Sequence, residues 1–244
     1  MHTSFFRLAV ALFGAALAGC TSDTGEEGED GGGDTPAPAE FKGGGQVPIA
    51  GGEAAYPDEP PGYAVGAVIP DFGFVGYADY TNPSLAGAQL MRLSDFYNPT
   101  GTDVFPAGSP FAGQPKPKVI NLIMSSAWCG PCKIEAKEIL PGLWAKYKSQ
   151  GGWLYSVILE GPQPGEPAKM NDITNWAKAY SVNYPISVDP SEQVMALFEP
   201  AFPGNMIIRT KDMRIMKMVA GVPDQAHWTV FEQVMKGEDV QPQK

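Results

Sequence analysis

The sequence predicts an α/β domain in which a central mixed β-sheet is flanked by helices. Two observations carry this expectation. Between residues 118 and 198 short apolar runs of strand length alternate with stretches of helical periodicity, and the chain then closes on two neighbouring apolar runs and one more helical stretch. The second observation is Trp128-Cys129-Gly130-Pro131-Cys132, a Cys-x-x-Cys pair set between an apolar run and a helical pattern. A pair in that context reads as a redox dithiol at a strand-to-helix junction.

The elements follow in order. Gly66–Phe72 reads as an extended lead-in segment, and Leu90–Phe96 as a short strand or turn. Asn98–Lys118 holds five prolines and three glycines, too many breakers for a regular element, and reads as an inserted loop. Lys118–Met124 is apolar almost throughout, which suits a strand buried on both faces. Gly130–Lys148 is expected to be a helix, with Ile134, Ile139, Leu143, Trp144 and Tyr147 at helical spacing and a kink from Pro141. Trp153–Leu159 is a second buried strand. Ile173–Tyr180 is a short helix with Ile173, Trp176, Ala177 and Tyr180 on one face. Pro185–Val188 reads as a short strand and Glu192–Phe198 as a short helix. Asn205–Ile208 and Ile215–Val219 form a hairpin around Thr210-Lys211-Asp212, and a last helix, Ala226–Met235, buries Val230, Phe231, Val234 and Met235.

The N-terminus has a different character. Residues 1–19 carry Arg7 and then the apolar run Leu8–Ala18, which is too short to span a bilayer as a helix. The run ends in Leu17-Ala18-Gly19-Cys20, which resembles the bacterial lipobox. That resemblance implies a signal peptide over residues 1–19, cleavage before Cys20 and acyl chains on Cys20 that anchor the protein to a membrane. An ordinary secretory signal with a chance cysteine is the alternative. Thr21, in place of Asp, favours the outer over the inner membrane by analogy with enteric bacteria. Residues 20–62 are rich in Gly, Pro, Asp and Glu and poor in large apolar side chains, so they read as a tether. As a coil of about 40 residues it reaches roughly 35 Å. The folded domain is expected over residues 63–244.

The formal net charge of −10 argues against nucleic-acid binding, which requires a basic footprint. Much of the negative charge lies in the tether, at Asp23, Glu26, Glu27, Glu29, Asp30 and Asp34. The chain has three cysteines; with Cys20 assigned to lipid, Cys129 and Cys132 have only each other. No structural disulfide is expected, and the 43% of hydrophobic residues leaves stability to the core. The two-residue gap places both sulfurs in the first turn of one helix, where backbone N–H groups and the helix dipole stabilise a thiolate. Proline fits between them because a first turn does not use its missing N–H.

Taken together, the element order and the cysteine motif resemble the thioredoxin superfamily. The closer likeness is to membrane-tethered, TlpA/ResA-like thiol–disulfide oxidoreductases. It spans about residues 66–236 and rests on Gly66–Phe72 with its Pro70-Asp71-Phe72, on Leu93-Ser94-Asp95-Phe96, on Cys129/Cys132 with Glu135 three residues on, and on Phe202-Pro203 before the hairpin. The resemblance implies a thioredoxin-like fold and a cis Phe202-Pro203 bond, with the preceding backbone pairing with bound peptide. Three positions depart from the pattern. Where thioredoxins bury an acid six residues before the first cysteine, this chain has Ile123; Asn121 points to the same strand face but is not a base. Pro141 lies nine residues after Cys132, about one turn later than usual. Phe202 is bulkier than the residue usually found before the cis proline, which narrows the substrate groove.

The roles implied are these. Cys129, expected to be the more exposed sulfur, attacks a substrate disulfide and Cys132 resolves the mixed disulfide. Glu135 is either a partly buried base for Cys132 or a solvated helix residue. Trp128, Phe202 and Pro203 shape the substrate-binding rim, with simple packing as the alternative for Trp128. Lys133 and His227 are expected at the surface. No soluble cofactor is implied. Partners are protein thiols and disulfides, with a membrane electron donor upstream if the protein is a reductant, the direction that the Gly-Pro dipeptide favours. Three alternatives are weaker. Zinc usually needs four ligands, and beyond the pair the mature chain adds only His227. A peroxiredoxin-like peroxidase needs a Pro-x-x-x-Thr/Ser-x-x-Cys frame, which Ser126 fits but Leu122 breaks. A scaffold lipoprotein without turnover has no use for an intact motif.

Overall fold

The computed structural model describes residues 56–197 and 201–244. The signal peptide, Cys20 and the tether up to residue 55 lie outside the described residues. The strands are β1 (Gly73–Tyr77), β2 (Gln89–Arg92), β3 (Val119–Ser126), β4 (Gly152–Glu160), β5 (Ile186–Val188), β6 (Gly204–Arg209) and β7 (Arg214–Ala220). They form one sheet in the order β2-β1-β5-β4-β3-β6-β7. The pairs β3/β4 and β4/β5 are parallel and the others antiparallel, so the sheet is mixed, as expected.

The parallel centre follows from the sequence. β3 is buried along its whole length and β4 at every residue but Glu160, which requires cover on both faces. The cover comes from α1 (Gly130–Ile134), α2 (Leu140–Tyr147), α3 (Met170–Tyr180) and α4 (Gln225–Met235). Apolar Ile173, Trp176 and Ala177 of α3 and Val230, Phe231, Val234 and Met235 of α4 are buried, as their spacing predicts.

The expected kink takes a specific form. Between α1 and α2 the chain makes a π-helical turn over Glu135–Ile139, with the Leu140 N–H donating to the Glu135 carbonyl five residues back. Pro141 lies in the first turn of α2. A proline inside regular α-helix would clash with the carbonyl four residues earlier. The wider turn removes that clash.

Three features differ from expectation. β1 was not anticipated; it pairs with β2 on one side and β5 on the other. A Cβ at Gly76 would lie 2.1 Å from the Ile186 carbonyl oxygen, so this close strand contact requires glycine. The loop before β3 is tied down: Phe105 and Phe111 are buried against Trp153 and Phe96, and Asn98 Nδ2 donates to the Lys116 and Pro117 carbonyls. The boundary expected at Tyr63 falls late. Tyr56 OH donates to the Ile69 carbonyl, Pro61 bridges Val68, and Glu59 pairs with Arg214.

Candidate functional site

The end of β3 carries the chain into α1, and the cysteines sit at that junction. Cys129 is the N-cap of α1: its backbone is extended, and its Sγ accepts the Cys132 backbone N–H at 3.2 Å. Pro131 stands in the first helical turn, where its missing N–H costs nothing. Cys129 and Cys132 are joined in a disulfide, with Cα atoms 5.3 Å apart. Cys129 is expected to be the more exposed of the two sulfurs; in this oxidised state the residues differ little, at 2% and 1% exposed. Both residues are buried, while Trp128, Gly130, Pro131 and Lys133 around them are exposed.

Glu135 opens the π turn and is fully buried. Burial pushes its carboxyl up to about 7, and the Asn205 amide partly offsets this by donating to Oε1 at 3.1 Å. Oε2 has no hydrogen-bond partner among the described residues. The solvated alternative for Glu135 is thereby excluded. Position 123 is a buried isoleucine, and Glu135 is a fully buried carboxyl in the turn that continues the dithiol helix.

Asn121 is also buried and donates from Nδ2 to Asn205 Oδ1 at 2.7 Å. His227, expected at the surface, is instead fully buried, with Nε2 2.8 Å from Asn121 Oδ1. It shares the buried face of α4 with Val230 and Phe231, and Asn121 supplies the polar partner that makes burial tolerable. Burial holds the imidazole neutral, down to about 4.

On the outer side, the Trp128 and Phe202 rings meet edge to face, with centroids 6.0 Å apart. The Phe202-Pro203 bond is cis, and the Pro203 carbonyl accepts the Gly221 N–H at 2.7 Å. The Trp128 indole N–H donates to Glu160 Oε2, while Glu160 Oε1 accepts the Gly165 N–H at 3.2 Å. Glu160 ends β4 just past a register irregularity opposite Ser125 and Ser126. Neither Glu160 nor Asn205 stood out in the sequence as a site residue. The one signal was an acid closing an otherwise apolar strand before a Gly-Pro loop. Ser126 Oγ donates weakly to the same Glu160 oxygen, at 3.4 Å.

This arrangement places a disulfide at a helix N-terminus, a buried carboxyl raised toward neutrality in the turn that continues the helix, and an aromatic pair beside a cis proline. The sequence profile of the AhpC/TSA family matches residues 109–214. No curated protein matches the chain. Among solved structures, a Chlorobium tepidum protein assigned as a thiol:disulfide interchange protein DsbE is 19% identical over 71% of this chain and 99% of its own, with a TM-score of 0.50. A hypothetical protein of Sinorhizobium meliloti is 17% identical over 74% and 89%, with a TM-score of 0.52. An uncharacterized conserved protein of Geobacillus kaustophilus is 14% identical over 80% and 92%, with a TM-score of 0.51. These likenesses show that the chain has a thioredoxin-like fold, and on it Cys129 and Cys132 form a disulfide at the strand-to-helix junction.

Proposed function

We propose that this protein is an extracytoplasmic, lipid-anchored thiol–disulfide oxidoreductase that reduces protein disulfides through Cys129 and Cys132. The observation that carries the reading is the Cys129–Cys132 disulfide at the N-cap of α1, with buried Glu135 one turn beyond Cys132. In the reduced protein the Cys129 thiolate attacks a substrate disulfide. The substrate S–S bond breaks, a mixed disulfide forms, and the first substrate sulfur leaves and takes a proton. Cys132 gives its proton to Glu135, whose unpartnered Oε2 is free to take it. The Cys132 thiolate then attacks Cys129 Sγ and releases the second substrate sulfur. Two electrons have passed to the substrate, and the pair is left oxidised. Trp128, Phe202 and Pro203 form the rim on which a peptide docks.

The anchor rests on the lipobox-like Leu17–Cys20 and the tether behind it. Among the described residues no helix is long and apolar enough to cross a membrane. The outer membrane is the favoured address, and a membrane dithiol donor would return electrons to the pair. Cys20→Ser should abolish lipid incorporation and release the protein from the membrane fraction.

The test of function is the reduction potential of the pair, read by alkylation in redox buffers. A value near about −270 mV supports a reductant, and one near about −120 mV overturns that direction in favour of an oxidant. Cys132→Ser should trap a mixed disulfide on Cys129 that mass spectrometry detects, and Cys129→Ser should trap none. Adducts on neither residue would sink the exchange mechanism.

A further inference from the structure

Four fully buried polar side chains from four different elements form one line: Glu135 in the π turn, Asn205 on β6, Asn121 on β3 and His227 on α4. The links are 3.1 Å, 2.7 Å and 2.8 Å. The chemistry of the groups gives this line a direction. An ionised carboxylate only accepts, so Asn205 must turn its NH2 toward Glu135. Its Oδ1 then faces Asn121, which must present its own NH2. That leaves Asn121 Oδ1 facing α4, where an amide oxygen requires a donor. Only a His227 carrying its proton on Nε2 supplies one. His227 Nδ1 has no partner among the described residues, which suits a bare lone pair and makes a charged ring costly there.

We propose that His227 is a positioning residue for Glu135, its Nε2–H anchoring a one-way chain of buried amide hydrogen bonds that favours the ionised carboxylate. The inference rests on Glu135 being the base that serves Cys132, and it names how the fold sets that base. Without the His227 donor, Asn121 is free to turn over. Its oxygen would then oppose Asn205 Oδ1, and Asn205 would be driven to turn its own oxygen on the carboxylate. Asn205 Nδ2 also reaches the Gly221 carbonyl, but at 3.5 Å that contact is too long to hold the amide alone. The charged groups that bear on His227 are Lys217 of β7 and Asp224, which caps α4 by accepting the His227 backbone N–H at 3.0 Å. The titratable group that bears on Glu135 is the Tyr184 hydroxyl, held in its neutral form by burial.

Two measurements on the oxidised protein test this. The first needs no substitution: nitrogen-15 NMR of His227 at pH 8 should show the proton on Nε2, and a proton on Nδ1 overturns the proposal. The second follows the Glu135 carboxyl carbon by NMR through a pH titration. His227→Phe should raise the proton affinity of Glu135 by about threefold or more, a fraction of one hydrogen bond's net worth. His227→Gln, which retains an N–H donor at nearly the same place, should stay close to wild type. Identical titrations for wild type and His227→Phe, with native near-ultraviolet circular dichroism, overturn the role. The readout is Glu135 itself in the disulfide form, so it is independent of whether Glu135 takes the Cys132 proton. Glu135→Gln assayed on the thiol titration of Cys132 tests that separate point.

Discussion

Glu135→Gln should stabilise the oxidised protein above neutrality and leave it little changed at pH 4. Burial raises this carboxyl from its ordinary 4.5 to about 7 in the folded state. Between those values the native protein therefore holds more protons than the unfolded chain, and its stability falls as pH rises. The full cost, about 3 kcal/mol, is reached above pH 7 and vanishes below pH 4.5. His227 acts in the opposite sense. Its folded value of about 4 lies below the ordinary 6.5, so its contribution is complete above pH 6.5 and is lost as pH falls toward 4. In the wild-type protein these two contributions oppose each other across nearly the same window. Removing the carboxylate leaves the histidine's contribution unopposed, so the variant should gain about 3 kcal/mol between pH 4 and pH 6.5. Urea unfolding of both proteins at half-unit steps from pH 4 to 8.5, with constant m-values, gives the difference curve. A Gln-minus-Glu difference that does not change with pH would refute the assignment of a buried, near-neutral carboxyl.

Three further outcomes follow from other contacts. Glu160→Gln removes the charged acceptor of the Trp128 indole and should raise KM for a peptide disulfide by about fivefold or less, since the pair is exposed, with kcat nearly unchanged; steady-state kinetics and Trp fluorescence check it. Gly76→Ala drives a Cβ against the Ile186 carbonyl and should cost about 2 kcal/mol or more in denaturant unfolding, while Gly130→Ala, with open space around it, should cost far less. Asn205→Leu withdraws the only side-chain hydrogen-bond donor that buried Glu135 has among the described residues and should move its titration above about 7, which a carboxyl-carbon titration reads directly.

The parts of this protein that are written in local pattern are legible in the sequence. β3 and β4 announce themselves by unbroken apolar runs, and the dithiol helix by a cysteine pair with proline in its first turn. The β6/β7 hairpin and the cis Phe202-Pro203 bond stood at the places that local spacing and the family likeness indicated. β1 did not read as a strand because Gly73 and Gly76 look like breakers. Its glycine is explained only by the carbonyl of Ile186, 110 residues away in the chain. Cys129 read as the more exposed sulfur; position in the first turn alone does not say how deeply the packing around an oxidised pair buries both residues.

The buried line from Glu135 to His227 marks the boundary most clearly. His227 stands three and four residues before Val230 and Phe231, so its helical face could be read from spacing, yet a lone histidine on a helix defaults to the surface. Whether a polar side chain can be buried depends on whether a partner waits for it, and here the partner, Asn121, is 106 residues away. Glu135 is the same case: its identity and spacing were visible, while its burial depended on the π turn before Pro141 and on Asn205 across the sheet. The sequence by itself determined most of the elements, the cysteine pair and the residue types available around it. The tertiary structure alone decided which of them are dehydrated and joined, because desolvation and pairing arise between segments that the chain keeps far apart.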